Sequence, residues 1–367
     1  MRYIGILTAS ILASIGFITS AFSCTDFRLI AKDGTVLITR SMEFALDLKS
    51  DLCTSNRDRN FTTTGSDGKP AMAWKAKYGY VFLNGLNVDM AVDGMNEKGL
   101  SFEALYLPDL AKYQDVPTGH MNQALPYYNF GDWVLGNFET VDEVRAALNN
   151  VFVIAEKLPQ TGDMIFPLHF AVYDATGKGI VIEYIDGKLN VRDNKVGVMT
   201  NSPSYDWHVT NLNNYVHLRP QNPKPIIENG LIFAGNGQGF GMIGLPGDIS
   251  PPSRFVKIAT LLQVIYPPNA YGDELNMAEH IINNVDIPLG LAREPNTGNL
   301  TNETTEWVVF KDLSHKIFYY RTYADLTLHS VSLNKIDFSE KAPRLKMTII
   351  DPELVLNMTD QFLKSKA

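Results

Sequence analysis

The chain has 367 residues, 45% of them hydrophobic and 20% charged, values of an ordinary folded protein and not of a disordered one. Its formal net charge of −8, with no cluster of Lys and Arg, argues against a nucleic-acid partner. Beyond the first two dozen residues no apolar run approaches the ~20 residues of a membrane span, and no Pro/Ser/Gly linker or repeat divides the chain, so 24–367 is expected to be one domain.

Residues 1–23 read as a secretory signal peptide. Arg2 gives a positive start, 4–21 is free of charge, and Ala21-Phe22-Ser23 is a small-residue cleavage site. Cutting there predicts an exported protein, periplasmic or extracellular, of 344 residues with 31 Lys and Arg against 40 Asp and Glu, a net charge of −9. Its first residue is Cys24, which then carries a thiol and a free α-amine together. That amine, with a reference pKa of about 7.7–8.0, is a base able to activate the thiol. Two other fates stay open for Cys24: lipidation, or a disulfide with Cys53, the only other cysteine.

Down the chain, β-formers at 25–30 and 35–39 flank Lys32-Asp33-Gly34, a hairpin turn that leaves Cys24 at the outer end of the first strand. Strands are predicted at 90–93 and 100–106 around Gly94–Gly99, and at 168–174, 179–184, 188–192 and 196–200 between Gly and Asp-Gly turns. Thr140-Val141-Asp142-Glu143 is a capping box opening a helix to about 148. Helical periodicity returns at 253–265 and 274–283, and strands at 306–311 and 316–322. Antiparallel strands with helices in separate runs predict an α+β layered fold.

A catalytic thiol needs a positive neighbour and donors for an oxyanion. The hairpin returns Arg40 towards Cys24, with Glu43 three residues on; the alternative is that the two form a surface ion pair of little consequence. Gly239-Phe240-Gly241-Met242-Ile243-Gly244 has dinucleotide-loop spacing, but Pro246 and Gly247 forbid the helix that such a loop requires. The seven histidines lack metal-ligand spacing.

Cys24-Thr25-Asp26-Phe27-Arg28, Gly34 and Arg40-Ser41-Met42-Glu43-Phe44 resemble the N-terminal signature of the choloylglycine hydrolase and penicillin V acylase family, N-terminal-nucleophile hydrolases of linear amides. Asp93–Leu100, Val198–Pro203, Thr210–Tyr215, Gly244–Asp248 and Ser250–Phe255 fit the same pattern in the same order, so the resemblance spans nearly everything from Cys24 to about residue 340. It implies an αββα sandwich of two antiparallel sheets. By position it implies Cys24 as nucleophile, its amine as general base, Arg40 and Arg254 as the two arginines of the site, and Glu43 as the acid that orients the amine. It places the oxyanion between the Asn201 side-chain amide and the Tyr106 backbone N–H. Glu43 departs from the usual Asp by one methylene. Tyr106 stands where bile salt hydrolases often have Asn, which leans the substrate towards the penicillin acylase side.

The resemblance further implies a small-molecule amide substrate and no metal or organic cofactor, and leaves a homo-oligomer open. The expected enzyme hydrolyses penicillin V, conjugated bile salts or N-acyl homoserine lactones through a thioester. The competing reading is a lipid-anchored or disulfide-bridged binding protein that keeps the fold without the chemistry.

Overall fold

The computed structural model describes residues 23–45, 47–65, 68–295, 300–349 and 358–364. Apart from Ser23, the expected leader lies outside them.

The first hairpin forms where Asp33-Gly34 demands it. Gly34 sits at φ +91°, its N–H donates to Ala31 O at 3.0 Å, and Asp33 Oδ1 accepts from Thr35 N at 2.9 Å. The strands β1 (Cys24–Ile30) and β2 (Val36–Phe44) pair antiparallel, Cys24 opposite Met42 and Asp26 opposite Arg40. The second strand runs to Phe44, five residues past the predicted end. The strand Leu300–Asp312 pairs along it from Leu37 to Phe44, across an irregularity between Thr305 and Trp307, and all nine residues of β2 are buried. Polar residues such as Ser41 and Glu43 broke the local β pattern; the long-range partner overrides it.

The seven-stranded sheet runs Val198–Met199, β1, β2, Leu300–Asp312, Ile317–Thr322 and His329–Ser332, with Ala292–Pro295 pairing off the start of the long strand. The eight-stranded sheet runs Lys188–Asp193, Gly179–Ile185, Leu168–Tyr173, Ser101–Tyr106, Val88–Asn96, Tyr80–Gly85, Asp51–Ser55 and Lys346–Thr348. Neighbours in both sheets pair antiparallel.

Alternation along strands fills two cores. In Tyr80–Gly85, Val81 and Leu83 join a core with Phe27, Ile38 and Val309 of the other sheet and with Phe255, Ile258 and Ile281 of the helices Pro251–Val264 and Asp273–Ile282. Tyr80 and Phe82 point the other way, to Phe130 and Trp133 of the helix Phe130–Asn137 and Val144 of the helix Val141–Ala147. The fold is therefore an αββα sandwich, as the resemblance implies.

Both halves of the predicted capping box form, Glu143 N donating to Thr140 Oγ1 at 3.2 Å and Thr140 N to Glu143 Oε2 at 3.2 Å. The strand predicted to stop at 93 continues to Asn96. Gly94 lies inside it because a Cβ there would sit 2.7 Å from Val81 O and 2.8 Å from Leu135 Cδ1. Among the described residues no helix is long and apolar enough to cross a membrane. One hairpin, Ile226–Glu228 with Leu231–Phe233, stands exposed with Ile227 and Ile232 about 70% open.

Candidate active site

Cys24 opens β1 at the boundary between the two sheets, only 2% exposed. Its sulfur and its nitrogen meet different surroundings. Cys24 and Cys53 are both free thiols; Cys53 belongs to the eight-stranded sheet, so the bridge weighed from the sequence is not formed.

On the sulfur side, antiparallel pairing returns Arg40 one strand over, with Nη2 3.6 Å from Cys24 Sγ. The guanidinium is held from behind. Nη2 donates to Ala104 O at 2.5 Å, and Nη1 to Val92 O at 3.1 Å and Asp93 Oδ2 at 3.2 Å. Asp93 Oδ1 accepts from Lys311 Nζ at 2.7 Å, which also donates to Glu103 Oε1 at 2.5 Å. Arg40, Asp93, Lys311 and Glu103 are all fully buried, so this is an ionic network inside the sandwich and not the surface pair considered above. Burial raises the Glu103 carboxyl to about 7 and raises that of neighbouring Asp26 as well, while the Lys311 charge opposes both. Burial also raises the Cys24 thiol, against the pull of Arg40. With Ser23 attached, the sulfur is therefore held as a thiol.

On the nitrogen side, Cys24 N–H donates to Asn201 Oδ1 at 2.7 Å. The same oxygen accepts from Arg254 Nη2 at 2.8 Å, and Arg254 Nη1 reaches Cys24 O and Thr25 Oγ1, each at 2.5 Å. Arg254 projects from the first turn of its helix, which Ser250-Pro251-Pro252 begins with proline at the positions where a missing N–H costs nothing. Asn201 Nδ2 donates to Tyr106 O at 2.8 Å. The two expected oxyanion donors are thus brought together, here through the Tyr106 carbonyl. His208 Nε2–H supports Asn201 from behind by donating to its carbonyl oxygen at 2.9 Å. Burial drives the His208 ring down to about 4, which keeps it neutral.

Glu43 Oε1 accepts from Thr305 Oγ1 at 2.9 Å, and burial pushes this carboxyl up to about 8 despite the nearby Arg254 charge. Its Oε2 is buried and has no hydrogen-bond partner among the described residues. Ser23 fills the space alongside. Its carbonyl accepts from Glu43 N at 3.0 Å, its Oγ donates to Glu303 Oε2 at 3.2 Å, and its N–H donates to Glu303 Oε1.

Cys24, Arg40, Glu43, Asn201, Tyr106 and Arg254, expected from the sequence, converge here. Asp93, Lys311, Glu103, His208 and Glu303 were not singled out for the site. One signal for Lys311 was available: a lysine following Trp307-Val308-Val309-Phe310 is a charge in a strand otherwise built for burial. Cys24 also borders an apolar pocket lined by Met42, Phe44, Leu48, Leu86, Tyr128 and Phe166. Its volume is about 70 Å³, small against the ~300 Å³ or more of a typical ligand site, so a bulky acyl group either extends beyond its mouth or parts these side chains. No three His, Cys, Asp or Glu among the described residues converge to hold a metal ion.

The profile of the linear amide C–N hydrolases, choloylglycine hydrolase family, matches residues 24–347. A bile salt hydrolase/transferase of Clostridium perfringens is 36% identical over 321 residues, 85% of this chain and 93% of the relative. A penicillin V acylase of Pectobacterium atrosepticum is 27% identical over 84% of this chain and 79% of its own length. The crystal structure of a mutant conjugated bile acid hydrolase from Clostridium perfringens superposes with a TM-score of 0.78 at 31% identity, over 91% of this chain and 99% of that one.

Proposed function

This chain belongs to the choloylglycine hydrolase family of linear amide C–N hydrolases, and from that premise we propose that it is exported, cut after Ser23, and works through the thiol and α-amine of Cys24. The observation that carries this reading is the meeting of four features at one residue. Cys24 Sγ borders the apolar pocket, Arg40 stands at the sulfur, Arg254 holds the carbonyl, and the nitrogen faces Asn201. The family match also begins at Cys24.

The acyl half of the substrate lies against Phe44, Leu48 and Phe166, and the scissile carbonyl carbon comes to Sγ. As sulfur attacks, the free amine takes the thiol proton, and Arg40 favours the sulfur's negative charge. The carbonyl π pair moves onto oxygen, and the oxyanion accepts from Asn201 Nδ2, freed from Tyr106 O, and from the Tyr106 N–H. Collapse of the tetrahedral adduct breaks the C–N bond. The Cys24 ammonium passes its proton to the departing nitrogen, leaving a thioester and a neutral amine. That amine then deprotonates a water, which attacks the thioester and releases the carboxylic acid and the thiol.

Penicillin V and conjugated bile salts are the first substrates to test, because relatives named for both resemble this chain along most of its length. Acyl homoserine lactones complete the panel. The processed enzyme should release an amine from at least one of them, and its intact mass should start at an unmodified Cys24. Cys24→Ala should abolish release. Persistent turnover by that variant, or an active protein carrying lipid on Cys24, sinks the assignment.

A further inference from the structure

The space beside the Cys24 nitrogen is built for something other than a peptide bond. Glu43 donates its backbone N–H to Ser23 O, the carbonyl joined to that nitrogen, and its buried Oε2 makes no hydrogen bond among the described residues. Glu303, 5% exposed on the long strand Leu300–Asp312, gives both carboxylate oxygens to Ser23, one to its N–H and one to its hydroxyl. Removal of Ser23 takes those two donors away. Consecutive backbone nitrogens lie within about 3.6 Å of each other, so the Glu303 carboxylate stands roughly 6 Å or less from the Cys24 nitrogen.

Charge explains why this matters. From β2, Arg40 stands at the sulfur and Glu43 is bonded through its backbone to Ser23 O; from the helix Pro251–Val264, Arg254 holds the carbonyl; from the long strand come Lys311, behind Arg40, and Glu303. Asn201, also at the nitrogen, is neutral. With Arg40, Lys311 and Arg254 already present, an ammonium at Cys24 becomes the fourth cation of this buried cluster. Asp93 is already shared by Arg40 and Lys311, and Glu103 is paired with Lys311. Glu43 alone cannot balance both Arg254 and the new ammonium, whereas Glu43 and Glu303 together can.

We propose that Glu303 is a positioning residue of the mature enzyme: once Ser23 is gone, its carboxylate and that of Glu43 jointly hold the Cys24 ammonium in the socket that Ser23 fills in the uncut chain. This rests on the reading of Cys24 as the first residue of the working enzyme. In the resting site Glu303 keeps the amine over the sulfur, and during turnover it favours the protonated amine formed as the thiol attacks.

The test compares processed wild type, Glu303→Gln and Glu303→Asp. Intact mass first establishes that each begins at Cys24. The pKa of the α-amine is then read from the pH dependence of its labelling by a limiting acylating reagent, beside the acid limb of kcat/KM. Loss of a carboxylate this near should lower the amine pKa and move the acid limb to lower pH by about one unit, the lower end of the effect of a charge 4–6 Å away. Glu303→Asp should fall between wild type and Gln. If Glu303→Gln does not fold, Glu303→Asp must still show a shift in the same direction. An unmoved amine pKa in the folded variants overturns the role of Glu303 while leaving Cys24 as the nucleophile. A wild type that is active with Ser23 still attached overturns both.

Discussion

The two flanks of Cys24 differ in how completely the uncut chain finishes them. At the sulfur, Arg40 is anchored to Asp93, Val92 O and Ala104 O, and Lys311 locks Asp93 to Glu103. At the nitrogen, Glu43 keeps a buried oxygen without a partner, and Glu303 is engaged by a serine that the working enzyme is proposed to lose. In the proposed reading the electrostatic environment of the nucleophile is thus a property of the folded sandwich, whereas that of the base waits for a new terminus. The contrast also bears on timing. Ser23 and Cys24 are only 6% and 2% exposed, so the proposed cut between them is most accessible before the sandwich closes.

The largest expected effect breaks the finished flank. Lys311→Met leaves Glu103 as a buried carboxylate without its cation and Asp93 with Arg40 alone, a loss of about 3–5 kcal/mol when one partner of a buried pair is removed. Urea unfolding should show it, and adding Glu103→Gln should recover part of it. A double variant no more stable than Lys311→Met would mean that the network is not coupled in this way.

Next comes the residue that joins the flanks. Asn201→Ala removes the proposed oxyanion donor and a partner of both Cys24 N and Arg254. A fall in kcat of about 10²–10³ is expected, as for other oxyanion donors, with a smaller change in KM. A loss confined to KM would place Asn201 in substrate binding instead.

What could be seen in the sequence divides along the same line. Cys24, Arg40 and Glu43 lie within one hairpin, whose register follows from Asp33-Gly34 and the alternation of its strands, so local rules brought them together. Arg254 and Asn201 came only through family motifs, since nothing local places a helix start and a loop after a two-residue strand beside Cys24. Lys311, Asp93 and Glu103 meet across 218 and 208 residues of chain. Their meeting depends on which strands of two different sheets face each other, which side-chain periodicity does not determine. Glu303 was hidden more deeply, because its partner belongs to the segment set aside as leader.

The pH dependence of stability separates the uncut chain from the processed one. In an uncut Cys24→Ala chain that keeps the residues before Ser23, Glu43 is neutral when folded up to about pH 8, whereas a free carboxyl ionises near 4.5. The folded state then binds the extra proton across that window, so this group makes stability fall as pH rises from about 4.5 to 8. Glu43→Gln should remove the fall and make the variant the more stable of the two at pH 8, by a few kcal/mol. In the processed chain the ammonium favours ionised Glu43, and the difference should shrink. Thermal melts of both pairs across pH 5–8 give the comparison, and an equal gap in the two backgrounds refutes the claim that Glu43 faces the new terminus.

The smallest expected effect lies behind Asn201. The His208 ring stacks on Phe255 with centroids 4.7 Å apart and planes 13° from parallel, and donates to Asn201 O. His208→Phe preserves an aromatic ring on Phe255 but removes the donor, a change worth about 1 kcal/mol. Its pH signature has the opposite sign to that of Glu43. The folded-state value near 4 lies below the free value of 6.5, so His208 contributes stability that is present above pH 6.5 and lost as pH falls towards 4. The Phe variant should therefore lose most of its disadvantage below pH 5, while kcat falls only a few-fold because Asn201 is still held by Cys24 N and Arg254. A variant with kcat as low as Asn201→Ala would show that the histidine, more than the arginine, sets the direction of the amide.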